Sequence, residues 1–178
     1  LPREPWAVYA KLPSLLKVEQ GADFDFSGRN RRPARDPVNA LLSFLYGLLV
    51  KDVTAACIAA GLDPLLGVYH RPRHGRPALA LDLAEPFRPL IADSTALTLL
   101  NNGSLPAASW TRAAGAVGLS ASGRKAVIAA HERRMRQEIR HPTFGYTITY
   151  RQTLEVQARL LGRVMRGEID ALPPFETR

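Results

Sequence analysis

The stretch DPVNALLSFLYGLLVKDVTAACIAAG, residues 36–61, decides the fold. Asp36 offers a side-chain oxygen to the unpaired N–H groups that open a helix. Pro37 suits the first turn, where its missing N–H has no partner to lose. Gly61 follows the last apolar residues, where a helix closes most easily on a left-handed residue. Between these signals the segment carries few charges and is apolar on almost every side. A helix of that kind is buried, so the expectation is one long central helix with others packed around it.

Working outward, the rest of the chain also reads as helical. WAVYAKLPSLLKVE (6–19) has an apolar helical pattern interrupted at Pro13. GADFDFSGRNRRPARDP (21–37) is a loop dense in Gly, Pro and Arg. LDPLLGVYH (62–70) is a turn into an extended stretch. PALALDLAEPFRPLIADSTALTLLNNG (77–103) is a second apolar helical region that Pro86 and Pro89 must bend or restart. Residues 104–123 form a small-residue connector. Ser122 is placed to cap GRKAVIAAHERRMRQEIRH (123–141), a helix with a basic face. HPTFGYTITYRQ (141–152) reads as a loop, and YTITY within it is the one segment with strand alternation. TLEVQARLLGRVMRGEI (153–169) is an amphipathic helix whose Leu154, Leu160, Leu161 and Val164 form a core stripe, and LPPFETR (172–178) is an extended tail. The class expected is all-α, in a single helical domain over 1–178.

Composition narrows the function. The chain has 178 residues, 46% apolar and 22% charged, which is globular rather than disordered. A single cysteine, Cys57, excludes an internal disulfide and a zinc–thiolate cluster, and a reducing cytoplasm is the expected compartment. No signal peptide is visible. LSFLYGLLV stops at Lys51, so no membrane span is expected. The chain begins LPREP without an initiator Met and reads as an excerpt of a longer polypeptide. Its formal charge of +8 favours a polyanionic partner, nucleic acid first, although a merely solvated basic surface is the plainer alternative.

One constellation carries chemistry. His70 offers an imidazole, and Asp82 and Glu85 stand i, i+3, on one face of a helical turn. Arg71, Arg73, Arg76 and Arg88 flank them in sequence. Histidine with carboxylates is a mixed nitrogen–oxygen ligand set that suits Mg²⁺ or Mn²⁺, the nitrogen tilting the preference toward Mn²⁺. Arginines beside it would hold phosphates. The simpler reading pairs the two acids with Arg88 and another arginine, and leaves His70 as polar surface. His74 and His131 lack an acidic partner at useful spacing and are expected at the surface. Trp6 and Trp110 are expected to pack.

FSGRNRRPARDPVNALLSFLYGLL, AGLDPLLGVYHRPRHGRPALALDLAEPFRP and HPTFGYTITYRQTLEVQARLLGRVMRGEI…PPFETR, in that order, resemble the catalytic lobe of the CRISPR-associated adaptation integrase. This is the metal-dependent DNA endonuclease that inserts spacers into a CRISPR array. The resemblance covers roughly residues 26–178. It implies an all-helical lobe without the family's β-rich N-terminal domain. It also implies a metal, Mg²⁺ or Mn²⁺, held by a first glutamate, the histidine of G-x-x-H and an acid of D-L-x-E-P-F-R-P. Carried over, those ligands are Glu4, His70 and Glu85, with Asp82 a supporting acid among the catalytic residues. The family's E-G-x-A-A pattern is only partly kept around Glu4: Ala7 is in place, but Pro5 stands for the glycine and Val8 for the second alanine.

The implied chemistry is attack of a DNA 3′-hydroxyl on a phosphodiester at the repeat boundary. Arg71, Arg73, Arg76 and Arg88 would clamp phosphates. Arg29, Arg31, Arg32 and Arg35 form a second basic strip, and Asn39 and Tyr46 on the central helix could face DNA; Asn39 equally suits buried backbone. The implied partners are spacer-precursor and repeat DNA, a second copy in a homodimer, the small second adaptation protein, and a fused or associated reverse transcriptase or nuclease, in a prokaryotic cytoplasm. Two other functions stay open: a non-catalytic DNA-binding subunit, and a transposon-borne integrase.

Overall fold

The computed structural model describes Leu15, residues 29–30 and residues 33–175. The expected helix over 6–19 lies outside the described residues except for Leu15. The elements run α1 (Pro37–Ala59), α2 (Ala78–Ala84), a 3₁₀ turn (Glu85–Phe87), a π-helical turn (Arg88–Asp93), α3 (Ser94–Asn101), a 3₁₀ turn (Ala107–Ser109), β1 (Trp110–Ala113), β2 (Ala116–Leu119), α4 (Ala121–Met135), β3 (Glu138–Arg140), β4 (Thr147–Thr149) and α5 (Tyr150–Met165). About 56% of the described residues are helical. The all-α expectation is therefore correct for the helices but not for the whole, because two short antiparallel hairpins accompany them.

Helix α1 starts and stops where its end signals lie. The Asn39 N–H donates to Asp36 Oδ1 at 2.8 Å, the N-cap bond. Gly61 takes φ +74°, and the Leu62 N–H reaches back to the Cys57 carbonyl at 2.9 Å. By length and composition alone this helix is apolar enough to cross a bilayer, a test that the core helix of a soluble protein also passes. Half of its most apolar window is nonetheless buried inside the protein, as suits a core helix.

Two compact units divide the chain. The first comprises residues 1–48 and 89–133. Val38, Leu41, Leu42, Leu45, Ile91, Ala92, Ala96 and Val127 are fully buried in it. Here the 104–123 segment, expected as a plain connector, is the β1–β2 hairpin. Trp110 pairs with Leu119 and Ala113 with Ala116. Ala114 (φ 49°) and Gly115 (φ 74°) close it, both left-handed as a type I′ turn requires. Ala-Gly is a weaker turn signal than Asn-Gly, and four-residue strands show too little alternation to be read. Ser120, not Ser122, caps α4: its Oγ accepts the Gly123 N–H at 3.1 Å.

The second unit comprises residues 49–88 and 134–178. Its core includes Leu49, Val53, Cys57, Leu79, Phe87, Met135, Leu154 and Ala158. Burial pushes the Cys57 thiol up to about 11, so it stays protonated and inert. The YTITY alternation becomes β4, paired with β3 from Glu138–Thr149 to Arg140–Thr147. Thr149 and Gln152 then form a capping box that starts α5.

Candidate functional site

The site is built where the 62–77 loop folds onto the start of α2. Pro77 gives that helix no side-chain cap. Instead the Pro64 carbonyl accepts the Leu79 and Ala80 N–H groups, at 2.9 and 3.4 Å. Gly67 allows the close approach. A Cβ there would meet the His70 carbonyl oxygen at 2.5 Å and the Ala78 Cβ at 2.7 Å.

Asp82 ties the loop from below. Its Oδ2 accepts the backbone N–H groups of Val68 (2.7 Å) and Tyr69 (2.9 Å). Its Oδ1 accepts the His70 backbone N–H (3.0 Å) and faces His70 Nδ1 at 2.5 Å. The carboxylate is 8% exposed and the imidazole 28%. Burial would raise the Asp82 carboxyl, but the Tyr69 N–H, the His70 ring and the N–H groups of Val68 and His70 outweigh it. They hold the acid below the usual carboxylate range. An ionised carboxylate has no proton to give, so the short contact puts a proton on Nδ1 and turns Nε2 to the far side of the ring from Asp82. Metal-ligating histidines are oriented in this way by an outer acid. Asp82 is thus spent on the loop and on the ring. The opening acid of the i, i+3 pair holds the histidine.

Glu85 begins the 3₁₀ turn. Pro86 and Pro89 remove two donors from the helical ladder, and the chain answers by changing its hydrogen-bond step while staying right-handed. The Glu85 N–H bonds the Asp82 carbonyl, the Arg88 N–H bonds the Glu85 carbonyl, and a π-helical turn follows. Glu85 Oε1 lies 3.1 Å from Arg88 Nη1 in a part-exposed ion pair. Arg71 and Arg73 are exposed on the loop, and Arg76 is half-buried. Glu4, Arg31 and Arg32 lie outside the described residues. Among the described residues no group of three His, Cys, Asp or Glu side chains is placed to hold a metal ion.

The first unit contains a separate polar cluster. Asn39 is fully buried. Its Oδ1 accepts from Arg29 Nη1 at 2.8 Å and from the Asn30 N–H at 3.2 Å, and its Nδ2 donates to Asp36 at 2.8 Å. Arg29 also donates to Ser43 Oγ at 3.0 Å and lies over the Tyr46 ring, 5.6 Å from its centroid. The Tyr46 hydroxyl donates to buried Asp93 at 2.6 Å. Arg29, Asn39 and Tyr46 therefore tie the segment before α1 to that helix.

His74 is exposed as expected, but His131 is 2% exposed and its surface assignment is corrected. Isolated in sequence, it sits on the inward side of a helix whose other face is charged. His141, inside a stretch expected as loop, is fully buried, with Phe144 and Phe175 at ring distances of 4.8 and 5.6 Å. Its only local signal is the aromatic density of HPTFGY.

Comparison with known proteins identifies the family. The family described as "CRISPR associated protein Cas1" matches residues 6–133. A Cas4 exonuclease/Cas1 endonuclease fusion of Geobacter sulfurreducens is 60% identical over 89% of this chain and 28% of its own length. A casposase bound to its integration product superposes with a TM-score of 0.85 at 20% identity, over 96% of this chain and 50% of that one. A chain of a partial Cas6-RT-Cas1–Cas2 complex gives 0.77 at 26% identity, over 96% and 50%. The chain thus spans about a quarter to a half of the length of these three proteins. With the family pattern running from the N-terminal segment through α1, the His70 loop and α2 into α4, the chain belongs to the Cas1 family.

Proposed function

We propose that this chain is the catalytic lobe of a metal-dependent DNA endonuclease and integrase that inserts spacer DNA into a CRISPR array. The observation that carries the reading is the His70–Asp82 pair: a part-exposed imidazole held through Nδ1 by a buried carboxylate, one turn from Glu85. A nitrogen donor beside a carboxylate suits Mg²⁺ or Mn²⁺, so the donor chemistry fits the group that the family reading implies. His70 and Glu85 would hold it, with Glu4 as the further carboxylate. Once bound it supplies Lewis-acid charge at a phosphoryl oxygen.

The chain's own part is positioning. Asp82 fixes the imidazole. Arg71, Arg73 and Arg76 draw the phosphate backbone to the loop, and Arg88, paired with Glu85, would hold a phosphate beside that acid. In strand transfer the 3′-hydroxyl oxygen forms a new bond to phosphorus, the 3′-oxygen of the target strand leaves and takes up a proton, and no high-energy donor is needed. The Cas4/Cas1 fusion and the Cas6-RT-Cas1–Cas2 complex support partners of the same kind for the whole protein: a Cas2-type second protein, and a fused nuclease or associated reverse transcriptase. The homodimer and the cytoplasmic location belong to the same proposal.

The test is strand transfer by the full-length protein with its small partner, a labelled duplex bearing a 3′-hydroxyl, and a supercoiled plasmid carrying the repeat. Joining in Mn²⁺ but not in EDTA, lost in His70→Ala and Glu85→Ala while both variants still retain DNA, is the expected result. DNA retention without joining under any metal would make the chain a binding subunit instead. Joining unchanged in both variants would remove these residues from the chemistry.

A further inference from the structure

The tail after α5 reaches back to the turn that carries Glu85. It has no regular structure, yet its start is fixed. The Arg166 N–H bonds the Gly162 carbonyl at 3.1 Å, Gly167 takes φ +71°, and the Glu168 N–H bonds the Arg163 carbonyl at 2.9 Å. The Glu168 carboxylate also accepts from Arg163 Nε at 3.0 Å and Arg166 Nε at 2.5 Å. Residues 166–174 then run at or near the surface. Phe175 ends that run abruptly: it is 7% exposed.

Its two aromatic neighbours explain the burial. One is Phe87, fully buried, with ring centroids 4.9 Å apart and planes tilted by 31°. The other is His141, 5.6 Å away and edge-on at 72°. Phe87 closes the three-residue turn Glu85–Pro86–Phe87. That turn is thin. Pro86 contributes no N–H, the next proline interrupts the following turn, and the ladder changes step twice within nine residues. Short 3₁₀ pieces have poor hydrogen-bond geometry, so side-chain packing must set their direction. Phe87 supplies that packing, and Phe175 is the ring against it.

We infer that Phe175 is a positioning residue for Glu85: the tail bolts Phe87 in place and so holds the Glu85 carboxylate where it can bind a divalent cation. The inference rests on the proposed metal role of Glu85. It makes the tail part of the site. His141 packs edge-on against the same ring, within a hairpin loop held by the His141 N–H to the Tyr146 carbonyl and the Gly145 N–H to the His141 carbonyl, both 2.8 Å.

The experiment measures Mn²⁺ binding to the full-length protein by calorimetry, with half-saturating Mn²⁺ in strand transfer as a second readout. Phe175→Ala should weaken Mn²⁺ binding by about tenfold or more, the size of effect that outer-shell substitutions produce. Activity should return at high Mn²⁺, and DNA retention in EDTA should not change. Phe175→Leu should recover most of the affinity, and it carries the test if the alanine variant does not fold. Val127→Ala, a core truncation in the other unit, should lower thermal stability without moving Mn²⁺ affinity. Affinity within twofold of wild type in folded Phe175→Ala, with Glu85→Gln clearly weakened, overturns the inference alone. Affinity unchanged in Glu85→Gln overturns the metal role of Glu85 and the inference with it.

Discussion

Asp82 accepts four hydrogen bonds, and together they decide its charge and its work. Its folded carboxyl is depressed, so the unfolded chain binds the extra proton in acid. The stability that Asp82 contributes is therefore complete above the ordinary carboxylate value near 4 and is lost as pH falls through the lower folded value. Asp82→Asn should cost about 2–3 kcal/mol at pH 7, since charge-assisted bonds to a buried loop are removed or weakened. Calorimetric melting at pH 7 and pH 3 should show the gap to wild type shrinking in acid. A gap that stays constant or widens would mean that the carboxylate is not what the loop depends on. The same variant should bind Mn²⁺ about 10–100-fold less tightly, because an amide no longer dictates which imidazole nitrogen carries the proton.

At the scale of elements, the loop and the broken helix act as one device. The Pro64 carbonyl caps α2, Asp82 of α2 pins residues 68–70, and Gly67 lets the two approach. Gly67→Ala places a methyl against the His70 carbonyl and Ala78, which are backbone and helix atoms that cannot swing aside. The expected cost is about 1–3 kcal/mol with a loss of strand transfer, read from melting temperature and joining assays together. A variant that is fully active and equally stable would show that the loop has room to move. The two prolines were legible as breaks in the helix. Their consequence, a 3₁₀ turn followed by a π turn, was not. It depends on which carbonyls remain free once two N–H groups are missing and on where Phe87 is buried.

For the molecule as a whole, the formal charge of +8 becomes a prediction about salt. If DNA binding releases counterions from phosphates held by arginines, log affinity should fall linearly with log salt. Replacing exposed Arg71 and Arg73 by Ala should flatten that slope by about 2, roughly one for each phosphate that an arginine no longer neutralises. Fluorescence anisotropy from low to moderate salt checks this. An unchanged slope would move DNA binding away from the His70 loop. Arg29 is in a different position from the loop arginines, for it is engaged with Asn39, Ser43 and Tyr46. Its replacement should first disturb the segment before α1.

Much of this protein was determined by local sequence. Asp36, Pro37 and Gly61 bound α1 because capping and left-handed closure are properties of those residues themselves. The order His70, Asp82, Glu85 marked a candidate site, because ligand chemistry follows residue type. Tertiary structure alone decided the rest. It gave Asp82 to the loop and the ring, because three N–H groups converge there only after the loop folds back. It buried His131 and His141 and turned Arg29 inward. It set Phe175 against Phe87, because residues so far apart in sequence share no pattern before the chain has packed.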